Sequence, residues 1–179
     1  MILRRRSVLA GGAALLLAAP VLSRRARAAG PHLIEMRGTP RGERVWFAPI
    51  GLAVAPGATV RFVNRDPGNS HTATAYHPDI LDRPLRIPPG AKPWDSGLLL
   101  PDQAFAVTLT VPGVYDLYCQ PHEAAGMVAR IIVGTPADDG WHEAVADDGD
   151  LPAPALAAFP PVATILQSGA LMPDTEDQP

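Results

Sequence analysis

The sequence has only one cysteine, Cys119, among 179 residues. None lies in the N-terminal segment, which excludes a lipoprotein anchor on a processed cysteine. In an oxidising, extracytoplasmic compartment a lone thiol is a liability unless something occupies it. Metal ligation would solve that problem, whereas the alternative is a buried, inert cysteine that packs as a small apolar residue.

The sequence also lacks an apolar run long enough to span a membrane. The run from Val8 to Leu22 has 15 residues, against the roughly 20 that a spanning helix needs. It follows Arg5-Arg6, resembles a twin-arginine signal peptide and ends near Ala28. We predict a signal peptide at residues 1–28, cleavage after Ala28 and a periplasmic or other extracytoplasmic location without stable membrane insertion; the alternative is an uncleaved anchor.

Basic residues are missing from Gly134 to the C-terminus, where nine acidic residues occur. Without residues 1–28 the net charge is 9 − 18 = −9, so this acidic, proline-rich extension, residues 136–179, carries most of the charge. Its apolar residues, with a short helix predicted at residues 163–168, could dock on the rest of the chain. We expect this extension to dock away from the loops that contain His71 and Cys119, here called the metal loops, and to create a negative field that steers a basic partner. The alternative is a solvated, partly ordered tail.

No long amphipathic helix pattern appears before residue 135. Short runs of strand type occur instead, separated by turns rich in the 21 prolines and 16 glycines. In residues 58–64, for example, Val60 and Phe62 share one face. We predict an all-β domain at residues 29–135, an antiparallel Greek-key β-sandwich. Residues 95–100 are expected to rejoin the sheet after an irregular loop, residues 78–94, that Trp94 pins to the core.

One short stretch concentrates metal-binding side chains, namely Cys119, His122 and Met127. A thiolate with neutral imidazoles selects copper, zinc or iron, and a distant thioether favours copper in a trigonal His₂Cys site. The missing histidine has to come from elsewhere. His71 is the best placed, because it follows a clear strand and a sharp turn, 119 − 71 = 48 residues before the cysteine.

His71 followed by Cys-x-x-His-x-x-x-x-Met resembles the cupredoxin family of type 1 blue copper proteins, in particular its plastocyanin- and pseudoazurin-like members. The resemblance covers roughly residues 32–134. It implies one type 1 copper held by His71, Cys119, His122 and Met127. It also implies that the His122 ring edge reaches the surface through an apolar patch, where redox proteins dock.

Two positions depart from the family pattern. Many members have an asparagine after the first histidine, whose amide ties the two metal loops together; here that residue is Thr72, and Gln120 follows the cysteine. Thr72 can still donate a hydrogen bond. His77 shares a face with His71 if the strand is regular, so it has either a second metal or proton-relay role or a structural one.

Sequence features of enzymes are missing. There is no Gly-x-Ser-x-Gly motif and no glycine-rich phosphate loop, although composition alone leaves a Ser-His-Asp triad open. Further copper centres would need more than five histidines, commonly in His-x-His pairs, and no such pair is present. We therefore expect a monomeric one-electron carrier between redox partners, not an enzyme and not a nucleic-acid-binding protein. The alternative is a periplasmic protein for copper delivery or storage.

Overall fold

The computed structural model describes residues 32–146 and 150–173. The predicted signal peptide, residues 1–28, lies outside the described residues. Within them, no helix combines the length and the apolar character needed to cross a membrane.

Nine strands and two α-helices make up the regular structure of the described residues. The strands are β1 (His32–Gly38), β2 (Val45–Ala48), β3 (Gly51–Val54), β4 (Ala58–Asn64), β5 (Thr74–Ala75), β6 (Ala104–Leu109), β7 (Gly113–Tyr118), β8 (Val128–Val133) and β9 (Ala170–Leu171). The helices are α1 (Ala153–Ala158) and α2 (Val162–Ser168), and a 3₁₀ helix spans Gln120–Ala125. The predicted helix at residues 163–168 corresponds to α2.

The strands form two sheets, in the orders β2-β1-β4-β6 and β5-β7-β8-β3-β9. The pairs β1–β4 and β3–β8 are parallel, and the other pairs are antiparallel. The prediction of a β-sandwich is therefore confirmed, but its description as antiparallel is wrong for these two pairs. After β2 the chain crosses to the second sheet for β3, so β4 returns to the first sheet beside β1 in the same direction.

The core lies between the two sheets. Val60 and Phe62 of β4 are both buried in it, as their alternation predicts. Trp94 is also buried there, beside Tyr115, which confirms that it pins the preceding loop. Residues 95–100 do not form a strand, because Gly97 has φ +62° and leaves only isolated bridges on either side.

Strands β7 and β8 are buried on both faces. Tyr115 and Ile131 face the core between the sheets. Val114 and Ile132 point the other way and pack against Ile165 of α2. The C-terminal extension therefore covers the outer face of the second sheet, and β9 adds a strand to its edge beside β3.

The extension also reaches the 3₁₀ helix, against which α1 packs. A Cβ built on Gly126 would lie 3.1 Å from the Pro154 carbonyl oxygen. Tyr118 and Val128, at the ends of β7 and β8 next to this loop, are covered by Ala155 and its neighbours. The expectation that the extension docks away from the metal loops is therefore wrong, because the apolar surface that it covers continues up to the loop.

A buried charge network fixes the extension to the sandwich. Asp116 of β7 accepts hydrogen bonds from Arg86 and Arg130, with N–O distances of 2.7 to 3.1 Å. The Arg130 guanidinium also donates to the Pro160 carbonyl at 2.9 Å, and both guanidinium groups lie over the Phe159 ring. Buried charges persist only when paired and hydrogen-bonded. The extension supplies part of the hydrogen bonding that this network needs.

Ile165→Ala is expected to lower the free energy of unfolding by about 2–5 kcal/mol, the usual cost of removing a large buried aliphatic side chain. Ile165 is fully buried, and its side chain fills the space that a Cβ on Gly51 would need. Denaturant unfolding measures the effect. Thr164→Ala, at an exposed position of the same helix, is the control and should change stability by less than about 0.5 kcal/mol. Equal stabilities of the two variants would mean that α2 does not pack on the sandwich in solution.

Candidate metal centre

The structure brings together the two histidines and the cysteine of the predicted ligand set. The ligand atoms of His71, Cys119 and His122 all lie within 4.8 Å of one another. Cys119 Sγ is 3.6 Å from His71 Nδ1 and 3.3 Å from His122 Nδ1. His77 lies outside this cluster, and its Nδ1 accepts the backbone N–H of Asp79 at 3.1 Å, which agrees with the structural alternative for this residue.

The two halves of the cluster come from two segments that adjoin strands of the second sheet. Cys119 directly follows β7. His71 precedes β5, where its backbone pairs with Leu99 through N–O hydrogen bonds of 3.1 and 2.8 Å. Because β5 pairs with β7, the strand register places the distant histidine beside the cysteine.

Residues 119–127 form a closed loop around the 3₁₀ helix. The Cys119 N–H donates to the Met127 carbonyl at 3.0 Å, and the Met127 N–H donates to the His122 carbonyl at 3.2 Å. Pro121 lies in the first turn of the helix, and Gly126 ends it with φ +82°. Met127 is thereby held at the base of the loop, with its side chain buried in the core.

Thr72 ties the two metal loops together. Its backbone N–H donates to Cys119 Sγ at 3.3 Å, and its hydroxyl oxygen accepts the Gln120 N–H at 2.8 Å. The Gln120 side chain adds a hydrogen bond to Asp95 at 3.0 Å. The Thr72 hydroxyl thus connects the loops as an acceptor, whereas the sequence suggested a donor, and the donor is its backbone N–H.

Asp66 is the site residue that the sequence does not reveal. Its Oδ2 is 2.9 Å from His71 Nε2, and both side chains are 0% exposed. Burial by itself raises the pKa of Asp66, but hydrogen bonds from Asn69, His71 and the Gly68 N–H outweigh it and hold the pKa below its usual value. The group is therefore a buried carboxylate.

Burial shifts the pKa values of two members of the metal-free cluster. Burial raises the pKa of the Cys119 thiol to about 11, although hydrogen bonds from Thr72 and His122 oppose the rise. Burial also lowers the pKa of His122, and the neighbouring His71 lowers it further. A neutral imidazole keeps the lone pair that a metal needs.

The cluster opens to the surface on one side only in the described part of the chain. His71, Cys119 and Met127 are buried, whereas His122 is partly exposed. Small apolar residues are exposed around it, namely Pro121, Ala124 and Ala125. The donor set of one thiolate and two imidazoles, with a buried thioether in the same loop, fits copper best among the metals that such ligands bind.

Several known proteins resemble this chain in sequence and in fold. Residues 34–134 match the family described as copper binding proteins, plastocyanin/azurin family. A chloroplastic plastocyanin from Hordeum vulgare is 36% identical over 87 residues, which are 49% of this chain and 54% of that protein. A putative pseudoazurin from Rhizobium leguminosarum bv. viciae is 32% identical over 117 residues, 65% of this chain and 69% of that protein.

The chain thus spans about half the length of the first of these relatives and about two thirds of the second. Among solved structures, a pseudoazurin from Sinorhizobium matches with a TM-score of 0.54 and 28% identity, over 78% of this chain and 98% of that one. These matches confirm the predicted cupredoxin fold and the prediction of copper as the cofactor. The family match covers more than half of the sequence, and the chain therefore belongs to the plastocyanin/azurin family of copper-binding proteins.

Proposed function

We propose that this protein is an exported type 1 copper protein that carries one electron at a time between redox partners and catalyses no reaction of its own. The observation that carries the proposal is the convergence of His71, Cys119 and His122 within 4.8 Å, with His122 partly exposed. His71, Cys119, His122 and Met127 are the proposed ligands. Bound copper supplies the reversible Cu(II)/Cu(I) couple.

The residues of the chain favour a site that changes little between the two oxidation states. The proposed thiolate and imidazole ligands are already close together without metal, and Thr72 fixes the cysteine sulfur and the loop that follows it. Cys119 has to lose its proton to bind, so copper uptake releases a proton at neutral pH. Since the protein dictates the ligand positions, little reorganisation accompanies electron transfer.

Electrons are proposed to enter and leave through the His122 edge. It is the partly exposed member of the cluster, and the exposed Pro121, Ala124 and Ala125 surround it with apolar surface. Such a patch suits brief docking of another redox protein. The protein acts as a monomer in this proposal, and nucleic acid is not a partner.

Export is part of the proposal. Residues 1–28 combine an arginine pair, a 15-residue apolar run and alanines at 26 and 28, which is the pattern of a cleaved signal. A periplasmic or other extracytoplasmic compartment is oxidising, and bound metal would protect the lone cysteine there. Mass spectrometry of the protein isolated from its cell should find Ala29 as the first residue, whereas an intact N-terminus in the cytoplasm would contradict export.

Voltammetry of the copper-loaded protein tests the carrier function. A reversible one-electron wave, with copper retained through many cycles, is expected because the ligands are buried and fixed before the metal arrives. Copper delivery or storage predicts instead that reduction makes the metal available to a Cu(I) chelator. Loss of copper to the chelator on reduction would therefore contradict the carrier function and favour copper delivery or storage.

Met127→Gln is expected to keep copper but to lower the reduction potential, because an amide oxygen would be a stronger donor to Cu(II) than the Met127 thioether. Voltammetry measures the shift. Met172→Gln is the matched control, since Met172 is 55% exposed and should leave the potential unchanged. A potential that stays the same or rises in Met127→Gln would show that Met127 is only a packing residue.

A further inference from the structure

We propose that Asp66 is a positioning residue of the copper centre: its buried carboxylate fixes the orientation and tautomer of His71 and lowers the reduction potential by favouring Cu(II). The inference rests on the proposed function, because it takes His71 as a copper ligand. It concerns a residue five positions before the histidine, in the turn that follows β4.

The hydrogen bond between the two residues sets the tautomer. A carboxylate only accepts, so the His71 imidazole donates its Nε2–H to Asp66 Oδ2 at 2.9 Å. The neutral ring then has its lone pair on Nδ1, the atom that lies 3.6 Å from Cys119 Sγ. The ring is thus prepared to bind through Nδ1 before copper arrives.

The surroundings hold Asp66 as a carboxylate in a fixed place. Oδ1 accepts the Gly68 N–H at 2.8 Å, and Oδ2 accepts a hydrogen bond from Asn69 Nδ2 at 2.9 Å. Gly38 of β1 leaves the room for it, because a Cβ there would lie 2.0 Å from Oδ2. These donors are neutral, so they orient the charge of Asp66 without cancelling it.

A fixed negative charge at this position acts on the copper in two ways. Accepting the Nε2–H makes the imidazole a stronger donor, as carboxylate partners of metal-bound histidines generally do. The charge also attracts Cu(II) more than Cu(I), and the attraction is strong because the pair is buried away from water. Both effects favour the oxidised site and lower the potential.

Asp66→Asn tests the proposal, because an asparagine has nearly the same shape and can still accept the Nε2–H while lacking the charge. We expect the Cu(I)-to-Cu(II) ratio at a given potential to rise at least tenfold, a shift of about 59 mV for a one-electron couple. We also expect Cu(II) affinity to fall by about 10–100-fold.

Asp102→Asn is the matched control. Asp102 is 80% exposed and has φ +65°, a conformation that asparagine tolerates, and the substitution removes the same charge. The reduction potential of the Asp102→Asn variant should stay at the wild-type value. If Asp66→Asn and Asp102→Asn have equal potentials, Asp66 has only a structural role and the proposal is overturned.

Nitrogen-15 NMR of the wild-type, metal-free protein gives a test that needs no variant. The His71 ring should appear as the Nε2–H tautomer, with a ring proton that exchanges slowly with water. An Nδ1–H tautomer would overturn the proposal even if Asp66→Asn fails to fold. A wild-type protein that shows no type 1 copper spectrum would instead contradict the proposed function. Failure of the Asp66 proposal and failure of the proposed function are therefore distinguishable.

Discussion

Cys119→Ser is expected to abolish the visible charge-transfer band of the copper-loaded protein completely. The band requires a thiolate bound to Cu(II), and a serine hydroxyl is a hard, neutral ligand that cannot replace it. Absorption spectroscopy of the protein after addition of one equivalent of Cu(II) measures the loss.

The variant has to be shown to be folded, and serine is close enough to cysteine in size that circular dichroism and thermal unfolding of the metal-free protein should match the wild type. Thr72→Ala serves as a comparison, because it removes the hydroxyl that accepts the Gln120 N–H but keeps the backbone N–H that donates to the sulfur. It should retain the band. A band that survives in Cys119→Ser would mean that the proposed ligand set is wrong.

Truncation after Thr135 is expected to leave a protein that is largely unfolded or aggregated. The extension supplies buried side chains such as Leu151 and Ile165, each contributing about 2–5 kcal/mol. Their sum approaches the 5–15 kcal/mol that stabilises a typical domain. The truncation also removes the backbone carbonyls that Arg86 and Arg130 bind beside Asp116.

Thermal unfolding followed by circular dichroism measures this effect, and truncation after Pro173 is the control because it removes none of the described part of the extension. The comparison also tests the predicted boundary between residues 29–135 and 136–179. A protein ending at Thr135 with a normal unfolding temperature would show that the sandwich folds alone and that the extension is an appendage.

The sequence was most informative where one physical rule dominates. Alternation in β4 predicts which side chains enter the core, because a strand has a period of two and only one face of β4 meets the other sheet. The spacing of Cys119, His122 and Met127 predicts a ligand loop, and the structure brings Cys119 and His122 together with His71. The start and the end of the 3₁₀ helix within that loop are also marked in the sequence, by Pro121 and by Gly126.

The sequence of β8 also indicates that another segment of the chain covers this strand. The run Val-Ala-Arg-Ile-Ile-Val does not alternate, and a strand without alternation is buried on both faces and needs a cover. The sequence does not say which segment supplies that cover. The choice depends on the partners of Arg130 and on the fit of Ile165 against Gly51, which are contacts between distant segments.

Asp66 could not be identified from the sequence for a related reason. Asp-Pro-Gly is a turn sequence whose carboxylate usually faces water. Its burial depends on Gly38, which lies on another strand and leaves the space for the carboxylate. Parallel pairing of β1 with β4 was missed likewise, because local patterns do not show that the chain changes sheets between β2 and β3.

Titration of the metal-free, wild-type protein with Cu(II), followed by visible absorption and electron paramagnetic resonance, tests the central claim most directly. The account predicts an intense blue or green colour that saturates at one copper per chain, a narrow copper hyperfine splitting, and bleaching and recovery of the colour on reduction and reoxidation. A weakly coloured protein with the wide hyperfine splitting of ordinary Cu(II) would contradict a type 1 site built on Cys119.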